Sequence, residues 1–261
     1  MPIPQRRTHP PTIRRVGIVL PARDEAGRVA DAIVAIGEAA AAVVHRVDVS
    51  VMVVDHGSTD ATRVEAERAL DVIRQRVTRA GLVSATRGGV GTARHIGIRA
   101  LTDGWEDPAA TWLLSTDADS RVRPDWIRRY LRHAEAGTMA VAGIVDLFDD
   151  GEADDFRDRW RCDYGSTLMA DGRHPHAHAA NLGVRLDAYR SVGGFRDVGP
   201  ADDRDLWSRL RQRGVEPVAD ASIVVDTSGR RAGRVPTGFA HALATLYPAG
   251  RDRLGDRPLA G

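Results

Sequence analysis

The run Val16-Gly17-Ile18-Val19-Leu20 is short, apolar and β-branched, and it stops at Pro21 and the charged Arg23-Asp24-Glu25. Such a run suits a strand buried on both faces. From Gly27 to about Val44 the chain is alanine-rich, with Val29, Ile33, Ile36 and Val43 at helical spacing, and a second buried run, Val47–Val54, ends at Asp55. Strand, helix, strand is the unit of a parallel sheet, since parallel neighbours need a long crossover. The alternation continues, with a helix over 60–77, a short strand near 82–84, a helix over 92–101 and a strand over 112–116. Beyond it the pattern predicts a helix over 124–136, a strand over 139–145 and a helix over 149–169 that carries Phe156, Trp160 and Tyr164 at fourfold spacing. Strands over 179–184 and 223–225, a helix over 202–213 and a short helix over 239–246 complete the reading. The fold class is α/β: a single Rossmann-like domain with a mainly parallel central sheet flanked by helices.

Composition narrows the function. The chain has 261 residues, 43% of them hydrophobic and 28% charged, ordinary values for one globular domain. The 37 basic residues nearly cancel 36 acidic ones, so no long-range field recruits nucleic acid, and an anionic ligand has to be held locally. Every basic residue is arginine, which reads as biased composition; the absence of lysine excludes Schiff-base chemistry and a P-loop lysine. The single cysteine, Cys162, needs no oxidising compartment. No apolar stretch reaches the roughly 20 residues of a membrane span, and Val16–Leu20 is too short to follow Arg14-Arg15 as an export signal. The expected address is cytoplasmic, extending to the inner membrane face. Residues 1–14 read as a flexible arm, 15–226 as the domain, and 227–261 as a loop or lid with a frayed tail.

In a wound parallel sheet, ligands bind beyond the carboxyl ends of the strands. Three acidic segments fall there: Pro21-Ala22-Arg23-Asp24-Glu25, Asp55-His56-Gly57-Ser58-Thr59-Asp60 and Asp117-Ala118-Asp119. Carboxylates converging on one edge repel one another unless a cation joins them, so a divalent ion on Asp119 and Asp117 is expected, with positions left for phosphate oxygens. His174, His176 and His178 alternate, but no fourth zinc ligand is evident, and the loop is read as one that meets the acceptor.

These segments, with Gly91–Ile98, Ala179–Arg185 through Phe195, and Asp202-Asp203-Arg204-Asp205-Leu206, resemble in order the successive blocks of family 2 glycosyltransferases of the GT-A fold. The resemblance covers about residues 15–226. It implies an inverting transfer from a UDP-, GDP- or dTDP-linked sugar to a small-molecule, glycan or lipid-linked acceptor, with Mn2+ or Mg2+ as cofactor. Pro21, Arg23, Glu25, Asp55, Arg94 and Asp117 become nucleotide-side residues, Asp119 the principal metal ligand beside Asp117, and Asp203 the general base. His178, Asn181 and Asp202 fall on the acceptor side, Arg230 and Arg231 on the diphosphate, and His241 at a third metal position. His56 stands where the family usually has Asp. A glycosyltransferase fold that binds a nucleotide sugar without turning it over is the alternative.

Overall fold

The computed structural model describes residues 10–148, 154–231 and 238–248. The strands are β1 (Arg15–Ala22), β2 (Asp48–Asp55), β3 (Arg79–Ser84), β4 (Thr111–Ser115), β5 (Ser120–Val122), β6 (Ala140–Phe148), β7 (Leu182–Arg185) and β8 (Val218–Ser228). Between them lie α1 (Val29–Ala41), α2 (Thr62–Ile73), α3 (Val90–Thr102), α4 (Trp126–Glu135), α5 (Asp154–Gly165), α6 (Leu186–Ser191) and α7 (Asp202–Gln212), and α8 (Phe239–Leu246) follows the last strand. One eight-stranded sheet runs in the order β3-β2-β1-β4-β7-β6-β8-β5. β1, β2, β3 and β4 are mutually parallel, as are β6 and β8, whereas β7 is antiparallel to both β4 and β6, and β5 to β8. This is the expected α/β architecture, with a mixed half that hydrophobic runs alone do not reveal.

Strand alternation sends Val16, Ile18 and Leu20 of β1 and Val49, Val51 and Val53 of β2 to one face, where α1, α2 and α4 cover them. Val19, Val54 and Leu113 point to the other face, against α3, α6 and α7. Each such side chain, fully buried, is worth about 1.5–3 kcal/mol. Gly97 lets α3 lie on the sheet: a Cβ there would come within 2.4 Å of Val54 and 2.6 Å of Val19. The register aligns Ala22 with Asp55 and Asp55 with Ser84, so the first three strands end level and their loops leave side by side. That alignment makes one sheet edge a site.

Several details depart from the sequence expectations. β5 and α6 were not anticipated, because a three-residue edge strand and a six-residue helix are too short to show a period. Residues 179–181 form a 3-10 turn and only Leu182–Arg185 is strand, while β8 begins five residues earlier than 223 and runs on through Ser228. Within the arm expected over 1–14, Ile13 is buried in the core and the Arg14 N–H donates to the Ala110 carbonyl, 2.8 Å. Leu243 and Tyr247 pack with Phe156 and Trp160, which joins α8 to the domain.

Candidate active site at the carboxyl edge of the sheet

The first loop is held by the second through a run of backbone-to-side-chain hydrogen bonds. The N–H groups of Asp24, Glu25, Ala26 and Gly27 donate in turn to Ser58 Oγ (3.1 Å), Thr62 Oγ1 (2.6 Å), Asp60 Oδ2 (3.2 Å) and Glu65 Oε2 (2.7 Å). In return Asp24 Oδ1 accepts from the Thr59 N–H at 2.7 Å, and Asp24 itself adopts φ +50°. Asp60 also accepts from the N–H of Thr62, so it ties both loops to the start of α2. Four consecutive donors of this turn are thereby satisfied. His56 Nε2 meets the Gly88 carbonyl at 2.8 Å and so pins the third loop to the second. Gly91 lies in the first turn of α3, where a Cβ would be 2.1 Å from the Arg196 carbonyl oxygen, so only glycine permits the close passage of these segments.

Beneath these loops two arginines organise four carboxylates. Arg94, its side chain 4% exposed, donates to Asp202 Oδ2 at 2.6 Å and to Asp117 Oδ1 at 2.5 Å. Burial alone would lower its pKa, but the two carboxylates outweigh that and hold the guanidinium charged. Arg230 donates to both oxygens of the buried Glu25, at 2.6 and 2.5 Å, and to Asp119 Oδ2 at 2.8 Å. Burial pushes the Asp119 carboxyl up to about 7; Arg230 opposes the shift, and Asp117 and Glu25 add to it.

Asp203 sits at the start of α7. Its Oδ2 accepts from the Ala179 N–H (3.1 Å) and its Oδ1 from the Arg204 N–H (2.6 Å). Burial, and then the neighbouring Asp202, raise its pKa above the usual carboxylate range. His178, the residue before Ala179, is pushed down to about 3 by burial and by His176 and His174, and its Nε2 lies 3.0 Å from the Tyr164 hydroxyl. These groups line a cleft of about 430 Å³, the size of a small-ligand pocket.

The cleft gathers Pro21, Arg23, Glu25, Arg94, Asp117, Asp119, His178, Asp202, Asp203 and Arg230 from six segments of the chain. Asp202 is spent on Arg94 and fixes the frame from below. Four expected residues do not line it. Asp55 holds the turn after β2, accepting from the Ser58 N–H at 3.1 Å. Asn181 is fully buried: its Oδ1 accepts from Trp126 Nε1 and the Tyr130 hydroxyl, and its Nδ2 donates to the carbonyls of Ile144 and Ile223. The hydrogen bonds of the Asn181 side chain thus go to α4 and to the sheet, away from the cleft. Arg231 turns away from the cleft, donating to the Tyr247 carbonyl at 3.1 Å with its guanidinium 5.2 Å from the Phe156 ring centre. His241 is exposed on α8, which docks through Leu243 and Tyr247, and does not line the cleft. Among the described residues no three His, Cys, Asp or Glu side chains are arranged to hold a metal by themselves. Of the three alternating histidines, His174 is buried, its Nε2 3.1 Å from the Ala142 carbonyl.

Sequence reasoning missed Thr62, Glu65 and Asp197, the last accepting from the Gly89 N–H at 3.0 Å. Only the two hydroxyl and carboxyl positions of α2 carried a signal, as polar residues in its first turn.

The sequence model described as glycosyl transferase family 2 matches residues 17–193. Among solved structures, the mannosyltransferase PcManGT from Pyrobaculum calidifontis, in complex with GDP-Man and Mn2+, aligns with TM-score 0.58 at 19% identity, covering 92% of this chain and 72% of that one. Glucosyl-3-phosphoglycerate synthase from Mycobacterium tuberculosis, in complex with Mn2+, UDP-Glc and glycerol 3-phosphate, aligns at 0.52 and 17% identity, covering 83% and 73%. S. aureus TarS aligns at 0.55 and 10% identity over 82% of this chain but only 36% of its own, so the present chain spans about a third of that protein. At these identities the likeness is one of fold. No curated protein matches the chain. Among the described residues no helix is long and apolar enough to cross a membrane.

Proposed function

Because the chain belongs to glycosyl transferase family 2, we propose that it transfers a sugar from a UDP-, GDP- or dTDP-linked donor to an acceptor hydroxyl, with inversion at the anomeric carbon. The observation that carries this reading is the meeting of Asp117, Asp119, Arg230 and Asp203 in one cleft. Pro21, Arg23 and Glu25 border the end where the base and ribose would lie, with Asp55 supporting the loop behind them.

Among the described residues five carboxylates and three guanidinium groups line the cleft, and a nucleoside diphosphate would add further negative charge. Burial is the main cause of the raised pKa of Asp119, and the neighbouring Asp117 and Glu25 carboxylates add to it. This electrostatic environment fits a divalent cation, Mn2+ or Mg2+, with Asp119 as its main ligand and Asp117 beside it. When bound, the ion offsets charge that develops on the departing diphosphate. Mn2+ accompanies the nucleotide sugar in both the mannosyltransferase and the glucosyl-3-phosphoglycerate synthase complexes, which agrees with this choice.

The chain's own residues would perform the rest. Arg230, bidentate on Glu25 and touching Asp119, is positioned to exchange these carboxylates for diphosphate oxygens. Arg94 holds Asp117 and the buried Asp202 in fixed positions. Asp203 takes the proton from the acceptor hydroxyl as that oxygen attacks the anomeric carbon on the face opposite the leaving group, and a single displacement inverts the centre. Its raised pKa makes it a stronger base than an exposed carboxylate, while two backbone N–H groups keep it oriented.

Calorimetric titration with UDP, GDP and dTDP, each with and without Mn2+ or Mg2+, tests the reading. Metal-dependent binding of one nucleotide is expected, lost in Asp119→Asn and kept in Asp203→Asn, the latter losing turnover by about 10²–10⁴-fold. A folded protein that binds none of the three nucleotides would overturn it.

A further inference from the structure

Beyond Asp203 the cleft changes character. Trp160 stacks on Tyr164 with ring centres 4.6 Å apart and planes 17° from parallel, Tyr164 on His176 at 4.3 Å and 16°, and His176 on His178 at 5.5 Å and 15°. Phe239 closes the circle edge-on, 6.2 Å from His178 and 6.4 Å from Trp160. Five aromatic rings from three segments thus form one cluster. Two of them, His178 and Phe239, line the cleft, and Phe239 is 37% exposed.

A cluster that served packing alone would bury its rings; here an apolar ring is presented to the cleft at the point where α8 begins. The polar edges are taken up internally. His178 Nε2 pairs with the Tyr164 hydroxyl, and His176 Nε2 lies 2.6 Å from Thr167 Oγ1. With its pKa pushed far down, His178 also adds no positive charge. Val145, Ala179, Ala180 and Ala240 continue this wall, so its described surface is apolar and uncharged up to Asp203. The cluster ends beside that carboxylate, since Ala179, which follows His178, donates its N–H to Asp203 Oδ2.

We infer that the wall built by His178 and Phe239 is the acceptor subsite and that it takes an uncharged pyranose, whose C–H face rests on the rings while one hydroxyl reaches Asp203. An aromatic ring packs against the apolar face of a sugar and leaves its hydroxyls free at the rim. A phosphate or carboxylate on the acceptor would meet the Asp203 carboxylate, and the described residues that line this wall include no cation; Arg204, exposed on α7 and acting electrostatically on His178, is not among them. The inference rests on the glycosyl-transfer reading above, and the test separates the two.

Saturation-transfer-difference NMR on the full chain, with UDP or GDP and Mn2+ present, would compare methyl β-D-glucopyranoside and methyl α-D-mannopyranoside with 3-phosphoglycerate. One of the glycosides is expected to bind with its ring C–H protons saturated, and 3-phosphoglycerate is expected not to bind. Phe239→Ala should weaken the glycoside about three- to tenfold, and Phe239→Tyr should retain it, with nucleotide affinity unchanged in both. Phe239 is exposed at a helix start, so these variants keep the fold. Preference for 3-phosphoglycerate, no binding of either glycoside, or glycoside binding indifferent to Phe239→Ala would each overturn the subsite. Nucleotide bound without glycoside sinks the subsite alone; no nucleotide bound sinks the transfer reading beneath it.

Discussion

Replacing Arg94 by Met would keep most of the aliphatic stem and remove the charge that holds two carboxylates together. The Asp202 side chain is only 4% exposed and keeps no other charged partner among the described hydrogen bonds, whereas Asp117 is 34% exposed and can be hydrated. The loss is therefore dominated by Asp202, a buried carboxylate left without its counter-ion. Breaking a buried pair from one side costs about 3–5 kcal/mol, and in a domain of this size each kcal/mol moves Tm by about 2–4 °C. Arg94→Met should accordingly unfold some 6–20 °C lower and at a correspondingly lower urea midpoint. Adding Asp202→Asn removes the stranded charge, so the double variant should be more stable than Arg94→Met alone, and the full cycle should show a coupling of about 0.5–3 kcal/mol. Urea unfolding of the four proteins of this cycle measures both quantities. An Arg94→Met protein within about 1 kcal/mol of the parent, or a double variant no better than the single, would refute the claim that Arg94 is there to neutralise Asp202.

Three further outcomes follow from the geometry. Asn181→Ala would remove the acceptor of the Trp126 Nε1–H and of the Tyr130 hydroxyl, the latter keeping its bond with the Gly143 backbone, and the donor to two sheet carbonyls, and should cost at least about 3 kcal/mol by urea unfolding, against about 1 kcal/mol for Tyr130→Phe, which leaves the amide its other bonds. Thr62→Val removes the acceptor of the buried Glu25 N–H; a loss of about 1–3 kcal/mol is expected, with weaker nucleotide binding in calorimetry because Glu25 lines the cleft. Because the pKa of Asp203 is raised in the folded protein, its ionised form is disfavoured there, so Asp203 lowers stability above the ordinary carboxylate pKa and this penalty disappears on acidification below it. The same shift sets activity: the acid limb of kcat/KM against pH should lie above the usual carboxylate range, and a limb at or below about 4 would count against Asp203 as the base.

The parts of this molecule that could be read in advance are those whose cause is local. Val16–Leu20 and Val47–Val54 declare themselves because a strand covered on both faces must be apolar at every position, and their ends mark where polar loops begin. Asp117 and Asp119 were legible for the same reason, as charges at the end of such a run. Arg94 was visible as a basic residue near a glycine loop, but its partner Asp202 lies 108 residues later, and nothing in either neighbourhood specifies the other. Asn181 misled because its chain position beside the acceptor block is genuine while its side chain turns inward, to a Trp and a Tyr more than 50 residues away.

The aromatic cluster is the instructive case. Helical spacing correctly made Phe156, Trp160 and Tyr164 one face, and Phe156 and Trp160 are buried as that reading requires. The alternation of His174, His176 and His178 was equally plain. What neither pattern contains is that Tyr164 stacks on His176, which converts a helix face and an extended loop into a single surface ending at Asp203. Function in this fold is concentrated at such meetings, because sheet register brings the loop ends level and leaves distant side chains to complete one another's charge and shape. Arg230 makes the point at the other end of the cleft: isolated in sequence among arginines and glycines, it is given its role only by Glu25, 205 residues earlier.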